Sequence, residues 1–469
     1  MRITIVGAGF SGGVLATELA RHAAPGTEIH LVGVPDSFGR GVAYGEARVE
    51  HLLNVRASEL GADPDDPDGF AAWLHLGESA RRTFLPRLAY GEYLHSRLLD
   101  SVLAARASVR LYAREAVSIE RDGKAFRVTL AGGRDLASDV VVLAVGALPP
   151  QRLHGVGPRL LVDPKYIAWP WQRSLAGDEA MDRIAPAARV LIVGTGLTMA
   201  DTVASLQRRG HRGPITVLSR HGLLPQPHAD APLPPIALPP AVLHAMNSGS
   251  VRALLRALRQ LLPIVPDWRS LVDALRPYLQ SYWKTLPKAQ RARFLRHLRS
   301  HWEAARHRLA PETHAMLQAL RAEGRLQVRA GRLLRAGVGA DAVETLIRGR
   351  GQRHAVAERY DVLIRATGLD TDIERTSHVL VSQMRDDGLL SADPFGLGVR
   401  VTPQFEALNR HGLPVQGLYC LGPLLRGQLW EITAVAELRV AARNLAHHLL
   451  RERRRGAQAE PARPRAGSC

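Results

Sequence analysis

Glycines at a spacing suited to phosphate binding lie close to the N-terminus, in Gly7-Ala-Gly-Phe-Ser-Gly12-Gly13. They follow the apolar segment 3–6 and precede a segment with helical periodicity. In that context Gly7 allows a tight turn, Gly9 lets the backbone approach a pyrophosphate, and Gly12 lets helix and strand pack closely. The first N–H groups of the helix would face the phosphates. The sequence therefore predicts a dinucleotide site; the alternative is a tight strand–helix turn that binds no ligand.

A second motif of the same kind is Val190-Leu-Ile-Val-Gly194-Thr-Gly196, with Met199 where a third glycine often stands. A helix to about residue 210 and a strand over 215–218 should follow it. Ser219 and Arg220 come directly after that strand. A cation at this place suits the 2′-phosphate of NADP, whereas an acid selects NAD. The alternative is that Arg220 is a surface arginine with no ligand.

The first motif lacks the acidic residue that usually ends its second strand and binds ribose hydroxyls. Gly33 stands there instead, after the strand predicted over 28–32. Asp36 could reach the ribose from the next turn. The missing acid affects how adenosine is bound and leaves the pyrophosphate site as predicted.

Two dinucleotide sites in one chain indicate two nucleotides that exchange electrons, with FAD on the first and NADH or NADPH on the second. No metal site is predicted, because the histidines are not at zinc spacings. Cys420 and Cys469 are the two cysteines, which excludes a disulfide framework and a C-x-x-C redox pair.

The 469 residues have ordinary globular composition, with 46% hydrophobic and 23% charged residues. We expect a first domain part over 1–165, a second domain over 166–354 and a return segment over 355–450. A helical insertion is expected over about 239–324, after a Pro-rich surface loop. The final helix should cover 433–450, and 451–469 should be a disordered basic tail. No membrane span and no signal peptide are predicted, so a cytoplasmic protein is the expectation.

The net charge of +18 is concentrated in the helical insertion. Residues 251–310 carry 13 Lys and Arg against 3 Asp and Glu, a net of +10. Arg252, Arg256 and Arg259 lie at helical spacing, which favours a solvated face, with the tryptophans nearby as core. The alternative is a helical lid over a substrate site.

The chain resembles the two-dinucleotide-domain flavoproteins, and within them the bacterial group of FAD-dependent urate hydroxylases and nitrosuccinate-forming amino acid monooxygenases. The matching segments are 7–13, 39–45, 51–55, 194–201, 219–222, 293–298, Trp302, 306–308 and 421–434. The segment Asp361-Val-Leu-Ile-Arg-Ala-Thr-Gly-Leu369 is similar to a signature of N-hydroxylating monooxygenases, but Arg365 and Leu369 depart from it. Pro423 replaces the acid that precedes the flavin ribityl chain in many flavoproteins.

The resemblance implies an α/β fold with two Rossmann-like dinucleotide-binding domains, in which the NAD(P) domain is inserted in a discontinuous FAD domain. It implies that 41–44 and 53–54 lie along the flavin and that 422–433 brings a helix N-terminus towards the ring. It also implies a monooxygenase that uses NAD(P)H and O2, forms a flavin C4a-hydroperoxide and converts urate to 5-hydroxyisourate. A small anionic substrate would suit the basic chain.

The residues that could do this chemistry fall into three sets. Arg426 and His51 are the catalytic candidates, since Arg426 should abut the flavin and an imidazole suits proton transfer at neutral pH. The alternative for His51 is a structural histidine. Arg296, Arg306 and His307 are the substrate candidates. The cofactor candidates are Gly7, Gly9, Ser11, Gly12, Gly13, Arg40, Gly41, Tyr44, Leu53, Asn54, Val117, Gly146, Gly194, Gly196, Thr198, Asp201, Ser219, Arg220, Gly368, Gly422, Glu431 and Thr433.

Three other functions remain open at the sequence level. The first keeps the chemistry and changes the substrate, to N-hydroxylation of an amino acid. The second is an RNA-binding or RNA-modifying flavoprotein whose basic helices follow phosphates, although no nucleic-acid motif is present. The third is a plain NAD(P)H–flavin reductase. The sequence does not decide the preference for NADH or NADPH. It also leaves the catalytic base and the oligomeric state open.

Overall fold

The computed structural model describes residues 1–171, 180–231 and 233–459, with side chains as far as residue 452. The strands are β1 Arg2–Val6, β2 Glu28–Gly33, β3 Ser108–Ala113, β4 Ala116–Asp122, β5 Ala125–Leu130, β6 Arg134–Ser138, β7 Val140–Leu143, β8 Tyr166–Ile167, β9 Val190–Val193, β10 Ile215–Ser219, β11 Leu326–Val338, β12 Val343–Gly349, β13 Val356–Tyr360, β14 Val362–Arg365, β15 Glu406–Leu408 and β16 Pro414–Cys420.

The α-helices are α1 Phe10–His22, α2 Gly41–Gly45, α3 Gly69–Trp73, α4 Arg87–Leu103, α5 Pro158–Leu161, α6 Leu197–Arg208, α7 Pro240–Asn247, α8 Val251–Leu261, α9 Trp268–Thr285, α10 Lys288–His297, α11 Arg299–Arg306, α12 Pro311–Ala322, α13 Val379–Asp386 and α14 Val435–Ala459. Short 3-10 helices cover Ala57–Glu59, Ala80–Arg82, Ala180–Arg183 and Pro423–Leu425. None of these described helices is both long and apolar enough to cross a membrane.

The first domain is built on a six-stranded sheet in the order β15-β16-β7-β1-β2-β3. All neighbours are parallel except β15 and β16. Its central strands bury nearly continuous apolar residues, as parallel strands covered on both faces do. Helix α1 packs against α4 and α14, and the antiparallel sheet β4-β5-β6 packs near β1 and β7.

The second domain repeats this core in a seven-stranded sheet, β13-β12-β11-β10-β9-β14-β8. Its segment β14-β9-β10-β11 corresponds to β7-β1-β2-β3 of the first sheet, with all neighbours parallel. The chain enters it near Leu148 and leaves it near Asp370, which form an isolated bridge. The second domain is thus inserted in a discontinuous first domain, and the α/β fold class predicted from the sequence is confirmed.

Two predicted boundaries are wrong. Strands β13 and β14 lie at 356–365, and β14 pairs with β9 and β8, so the return segment begins after Arg365 and not at 355. The final helix continues to Ala459, so 451–459 are helical in place of the expected disordered tail. Residues 460–469 lie outside the described residues.

The helical insertion runs from α7 to α12 between β10 and β11. On α8 the arginines at 252, 256 and 259 are exposed while Val251 and Leu254 are buried. This is the solvated face that the arginine spacing predicts. Trp283 is buried against Trp430 of the first domain, and the ring centroids are 4.7 Å apart.

Candidate functional site

The turn from β1 to α1 accepts glycine alone at two positions. Gly7 has φ +107°, and a Cβ there would overlap the carbonyl oxygen of Ala144. A Cβ on Gly12 would overlap the carbonyl oxygen of Gly7. These are the tight turn and the close helix–strand packing that the motif predicts.

Three backbone segments converge at the start of α1. A Cβ built on Gly9 would lie 3.2 Å from the Cα of Gly41, and one on Gly422 would lie 3.0 Å from the Oγ of Ser11. Gly9 is the N-cap of α1, its first turn holds no acidic residue, and no side chain caps it. The first N–H groups of α1 therefore face a cradle walled by backbone, which fits the pyrophosphate of a dinucleotide.

The tight packing around Gly33 accounts for the absence of an acidic residue at the end of β2. A Cβ at this position would overlap the side chain of Ala8, and Ser37 Oγ lies 2.8 Å from it. No side chain fits there without moving the β1–α1 turn. Asp36 is exposed with φ 64°, and its reach to the ribose stays a prediction.

A second cradle repeats the first at the carboxyl end of β9. Gly194 has φ +120°, and its N–H donates to the Leu218 carbonyl at 2.9 Å, as that of Gly7 donates to Val32 at 2.8 Å. Gly196 caps α6 at its N-terminus, and a Cβ built there meets nothing within 4 Å. A Cβ built on Gly368, which follows β14, likewise meets nothing within 4 Å. The second dinucleotide site is thus open where a phosphate would approach the helix.

Ser219, the last residue of β10, hydrogen-bonds to the second cradle. Its Oγ accepts from the Thr195 hydroxyl at 3.0 Å and from the Gly222 N–H at 3.0 Å. Arg220, the next residue, is exposed. Both residues therefore lie at the edge where the sequence placed them.

His51 is placed as a structural histidine, which disfavours its predicted role in proton transfer. It is 1% exposed, its Nδ1 accepts from the Arg48 N–H at 3.1 Å, and its Nε2 lies 2.8 Å from Ser205 Oγ. Ser205 in turn donates to Glu50 at 2.6 Å. Burial, followed by the nearby arginines, lowers the His51 pKa to about 3. The imidazole therefore stays neutral and joins the two domains.

Asp201 was expected at the cofactor, and the structure pairs it with Arg87 of the first domain instead. The carboxylate lies 2.8 Å from the Arg87 Nη1. Burial raises the pKa of Asp201 to about 6, although Arg87 opposes that shift. The residue belongs to the domain interface.

Arg426 and Arg306 lie in one partly buried group with two carboxylates, which we call the arginine–glutamate cluster. Arg426 Nη2 contacts Glu303 at 2.9 Å, and Arg306 Nε contacts Glu431 at 3.2 Å. Trp302 donates its indole N–H to Glu431 at 2.8 Å. The cluster joins α11 of the insertion to the segment after β16, which the resemblance places along the flavin.

Charge within the arginine–glutamate cluster is balanced by pairing. Burial opposes ionisation of Glu303, but Arg299 and Arg426 hold its pKa below the usual value. Burial lowers the pKa of His307, which lies beside the cluster. Of the predicted substrate residues, the consecutive Arg306 and His307 therefore lie at the cluster. Arg296 lies on an exposed part of α10 instead.

The other predicted site residues occupy varied positions. Arg40 pairs with Glu92 at 2.7 Å, and the Asn54 carbonyl accepts from His228 at 2.9 Å. Leu53 is buried, Val117 lies at a bulge of β4, and Thr433 is exposed ahead of α14. The predicted positions at the first cradle are Gly7, Gly9, Ser11, Gly12, Gly41 and Gly422, and those at the second are Gly194, Gly196 and Thr198. Gly13 packs against Gly39, and the Tyr44 ring lies 4.9 Å from that of Tyr90. A cofactor role for Gly13, Tyr44, Gly146 and Gly368 stays a prediction.

One group that the sequence did not indicate is formed by Glu18, His22 and His447, whose potential ligand atoms all lie within 4.8 Å of one another. It lies between α1 and α14. Because Arg443 already contacts the Glu18 carboxylate at 3.2 Å, we assign no metal to it. The contact forms because α1 packs against α14, more than 400 residues later in the sequence. No local sequence pattern could have shown it.

Residues 4–148 match the model of a family described as FAD-NAD(P)-binding. No curated protein sequence matches the chain. Among solved structures, the ornithine N-hydroxylase of Kutzneria sp. 744 has a TM-score of 0.64 at 16% identity and covers 96% of this chain and 99% of its own. The L-lysine 6-monooxygenase of Pseudomonas syringae has a TM-score of 0.59 at 18% identity, with 96% and 99% covered.

A cadaverine monooxygenase of Erwinia amylovora, solved with FAD, has a TM-score of 0.60 at 14% identity and covers 96% of this chain and 94% of its own. At identities this low, the structural similarity establishes the fold only, and the activity must be argued from the site residues. The chain is therefore similar over nearly its whole length to flavoproteins with two dinucleotide-binding domains, and it shares their fold.

Proposed function

We propose that the chain binds FAD on the first cradle and NADPH on the second, and that it hydroxylates the primary amine of a small amino acid or diamine. The observation that carries this proposal is the pair of glycine cradles in a fold shared end to end with three amine-hydroxylating flavoproteins. Their names specify ornithine, lysine and cadaverine. A primary amine is the feature common to these three molecules.

Bound FAD would supply the redox chemistry, taking a hydride from NADPH and activating O2. The chain's own part is to bind, orient and exclude water. The N-termini of α1 and α6 would hold the two pyrophosphates. The arginine–glutamate cluster closes one side of the region with buried side chains, and the Arg426 guanidinium lies 4.6 Å from the centre of the Trp430 ring.

Urate, the first expectation from the sequence, is less well supported. Arg306 and Arg426 already pair with Glu431 and Glu303, so a urate anion bound through these cations would have to compete with two carboxylates. The Arg306–Glu431 pair is the more buried of the two, and separating it would leave the Glu431 carboxylate without its counter-charge. The similarity to amine hydroxylases further favours the N-hydroxylating alternative.

The proposal is tested with the purified, FAD-loaded protein and NADPH in air. Ornithine, lysine, putrescine, cadaverine and urate are offered singly, while NADPH loss and hydroxylamine formation are followed together. We expect at least one amine to give a hydroxylamine in step with NADPH loss. Urate loss without hydroxylamine from any amine would restore the urate assignment. NADPH loss that yields peroxide alone with every compound would point to a reductase.

A further inference from the structure

A group of basic side chains, four arginines and two histidines, lies around the end of β10, at the edge of the second cradle. It joins three parts of the second domain: the β10 end itself, the β11–β12 hairpin with the turn that follows it, and α11 of the insertion. We call it the cationic patch. Its members are Arg220, His221, His301, Arg332, Arg348 and Arg350.

Arg350 is held in place within the patch by two hydrogen bonds. Its backbone N–H donates to the Ala330 carbonyl at 2.8 Å, and its Nη1 donates to His221 Nδ1 at 3.1 Å. The rings of His221 and His301 are 5.9 Å apart. Because His221 follows Ser219 and Arg220 directly, these contacts fix Arg350 beside the second cradle.

The patch is not neutralised by carboxylates. Burial lowers the pKa of His221, and the neighbouring basic residues Arg350, Arg220, His301 and Arg332 add to this shift. Arg332 faces Arg348 directly across the β11–β12 pair, an arrangement that destabilises a sheet. Within the described ranges, no carboxylate lies within 4.0 Å of Arg220, Arg332, Arg348 or Arg350. An anionic ligand would offset this repulsion.

We propose that the cationic patch binds the 2′-phosphate of NADPH, with Arg350 as a direct phosphate ligand and His221 as the residue that positions Arg350. The inference rests on the proposed placement of NADPH on the second cradle. Where that dinucleotide lies on α6, its adenosine ribose faces the end of β10. A phosphate monoester adds a charge near −2 at neutral pH, and the guanidinium N–H groups of Arg350 not used by His221 suit its oxygens. Arg220 alone was expected there from the sequence.

The test measures binding of a probe that carries the 2′-phosphate and needs no turnover. Isothermal titration compares adenosine 2′,5′-bisphosphate with adenosine 5′-monophosphate on the FAD-loaded protein. We expect the bisphosphate to bind more tightly to the wild type, and Arg350→Gln to weaken it by about 10- to 100-fold with little change for the monophosphate. Arg353→Gln, an exposed arginine in the same turn, is the matched control and should bind like the wild type.

Equal affinities of the two probes for the wild type, or equal losses in the two arginine variants, would overturn the inference. The role of His221 is tested by rescue. His221→Asn keeps an acceptor for Arg350 and should retain the bisphosphate affinity within about twofold, while His221→Ala should lose several-fold. Equal behaviour of these two variants would contradict a positioning role. If the bisphosphate preference holds but no amine is hydroxylated, the patch stands and the proposed function fails.

Discussion

Backbone approach to a phosphate depends on single glycines, and the glycines of the cradles are of two kinds, enclosed and open. Gly7 and Gly12 are enclosed by backbone atoms, so any side chain would distort the fold. Gly196 has open space around its missing side chain and an ordinary φ of −82°. The first pair therefore serves folding as well as binding, while Gly196 is free to serve binding alone.

Gly196→Ala should separate these roles. The methyl group fills space that a pyrophosphate needs, so the KM for NADPH should rise about tenfold or more, in line with the loss of a hydrogen bond to a charged group. The FAD content and the melting temperature should stay near those of the wild type. Gly12→Ala is the contrasting variant and should lose FAD together with stability. Loss of FAD in Gly196→Ala would contradict the assignment of the second cradle.

His51 predicts a dependence of stability on pH. Its folded pKa of about 3 lies below the unfolded value near 6.5, so its stabilising effect is complete above pH 6.5 and is lost as the pH falls towards 3. Between pH 7 and pH 5 the loss is about 2 kcal/mol. His51→Gln should show a smaller drop in unfolding free energy over this interval, measured by urea denaturation at both values. An equal drop in both proteins would contradict the burial of a neutral imidazole.

Helix α11 connects regions that lie far apart in the sequence. Its Glu303 and Arg306 pair with residues after β16, while its His301 belongs to the cationic patch. The sequence predicted this region as helical and its arginines as substrate ligands. It could not show that Arg306 meets Glu431, because a pairing across 125 positions leaves no local pattern. The strand–glycine–helix units were predictable because they are local.

Glu431→Gln should destabilise the protein by about 3–5 kcal/mol, because it leaves the buried Arg306 without its counter-charge. The Trp302 hydrogen bond can persist, since an amide oxygen also accepts. Asp341→Asn, which breaks the exposed pair with Arg359, is the control and should cost less than about 1 kcal/mol. Unfolding in urea measures both. Similar small losses would show that the Arg306–Glu431 pair is not buried as described.

At the scale of the whole molecule, the helical insertion is docked on the first domain by apolar and ionic contacts. The Trp283 indole donates to the Gly427 carbonyl at 2.8 Å, and Arg276 pairs with Glu437 at 2.7 Å. The overall order of domains followed from the two glycine motifs. The predicted end of the second domain at residue 354 was wrong. The sequences of β13 and β14 are compatible with a strand in either sheet, and only their observed pairing with β12, β9 and β8 assigns them to the second sheet.

Trp283→Ala should cost about 3–5 kcal/mol, since it empties a buried site between the insertion and the first domain. FAD should be released at a lower temperature than from the wild type, because Trp430 lies in the segment that we propose to face the flavin. Tyr278→Ala, on an exposed part of the same helix, is the matched control and should change little. Thermal melts followed by flavin fluorescence measure both. Unchanged FAD release in Trp283→Ala would contradict docking of the insertion on the flavin domain.

Two separate groups of exposed basic residues stand out in the part of the chain that the structure describes. The exposed arginines of α8 form a solvated face, whereas the cationic patch lies at the second cradle. The charge therefore does not require a nucleic-acid partner. Filter binding of RNA at low and high salt tests the alternative of an RNA-binding flavoprotein. Tight binding that weakens steeply with salt would support that alternative.

The most direct test of N-hydroxylation follows the oxygen atom. The FAD-loaded protein is supplied with NADPH, the best amine of the panel and isotopically heavy dioxygen, and the product is analysed by mass spectrometry. We expect a hydroxylated amine that carries one heavy oxygen, formed in proportion to the NADPH oxidised. Heavy peroxide with no labelled amine, while NADPH is consumed, would contradict it.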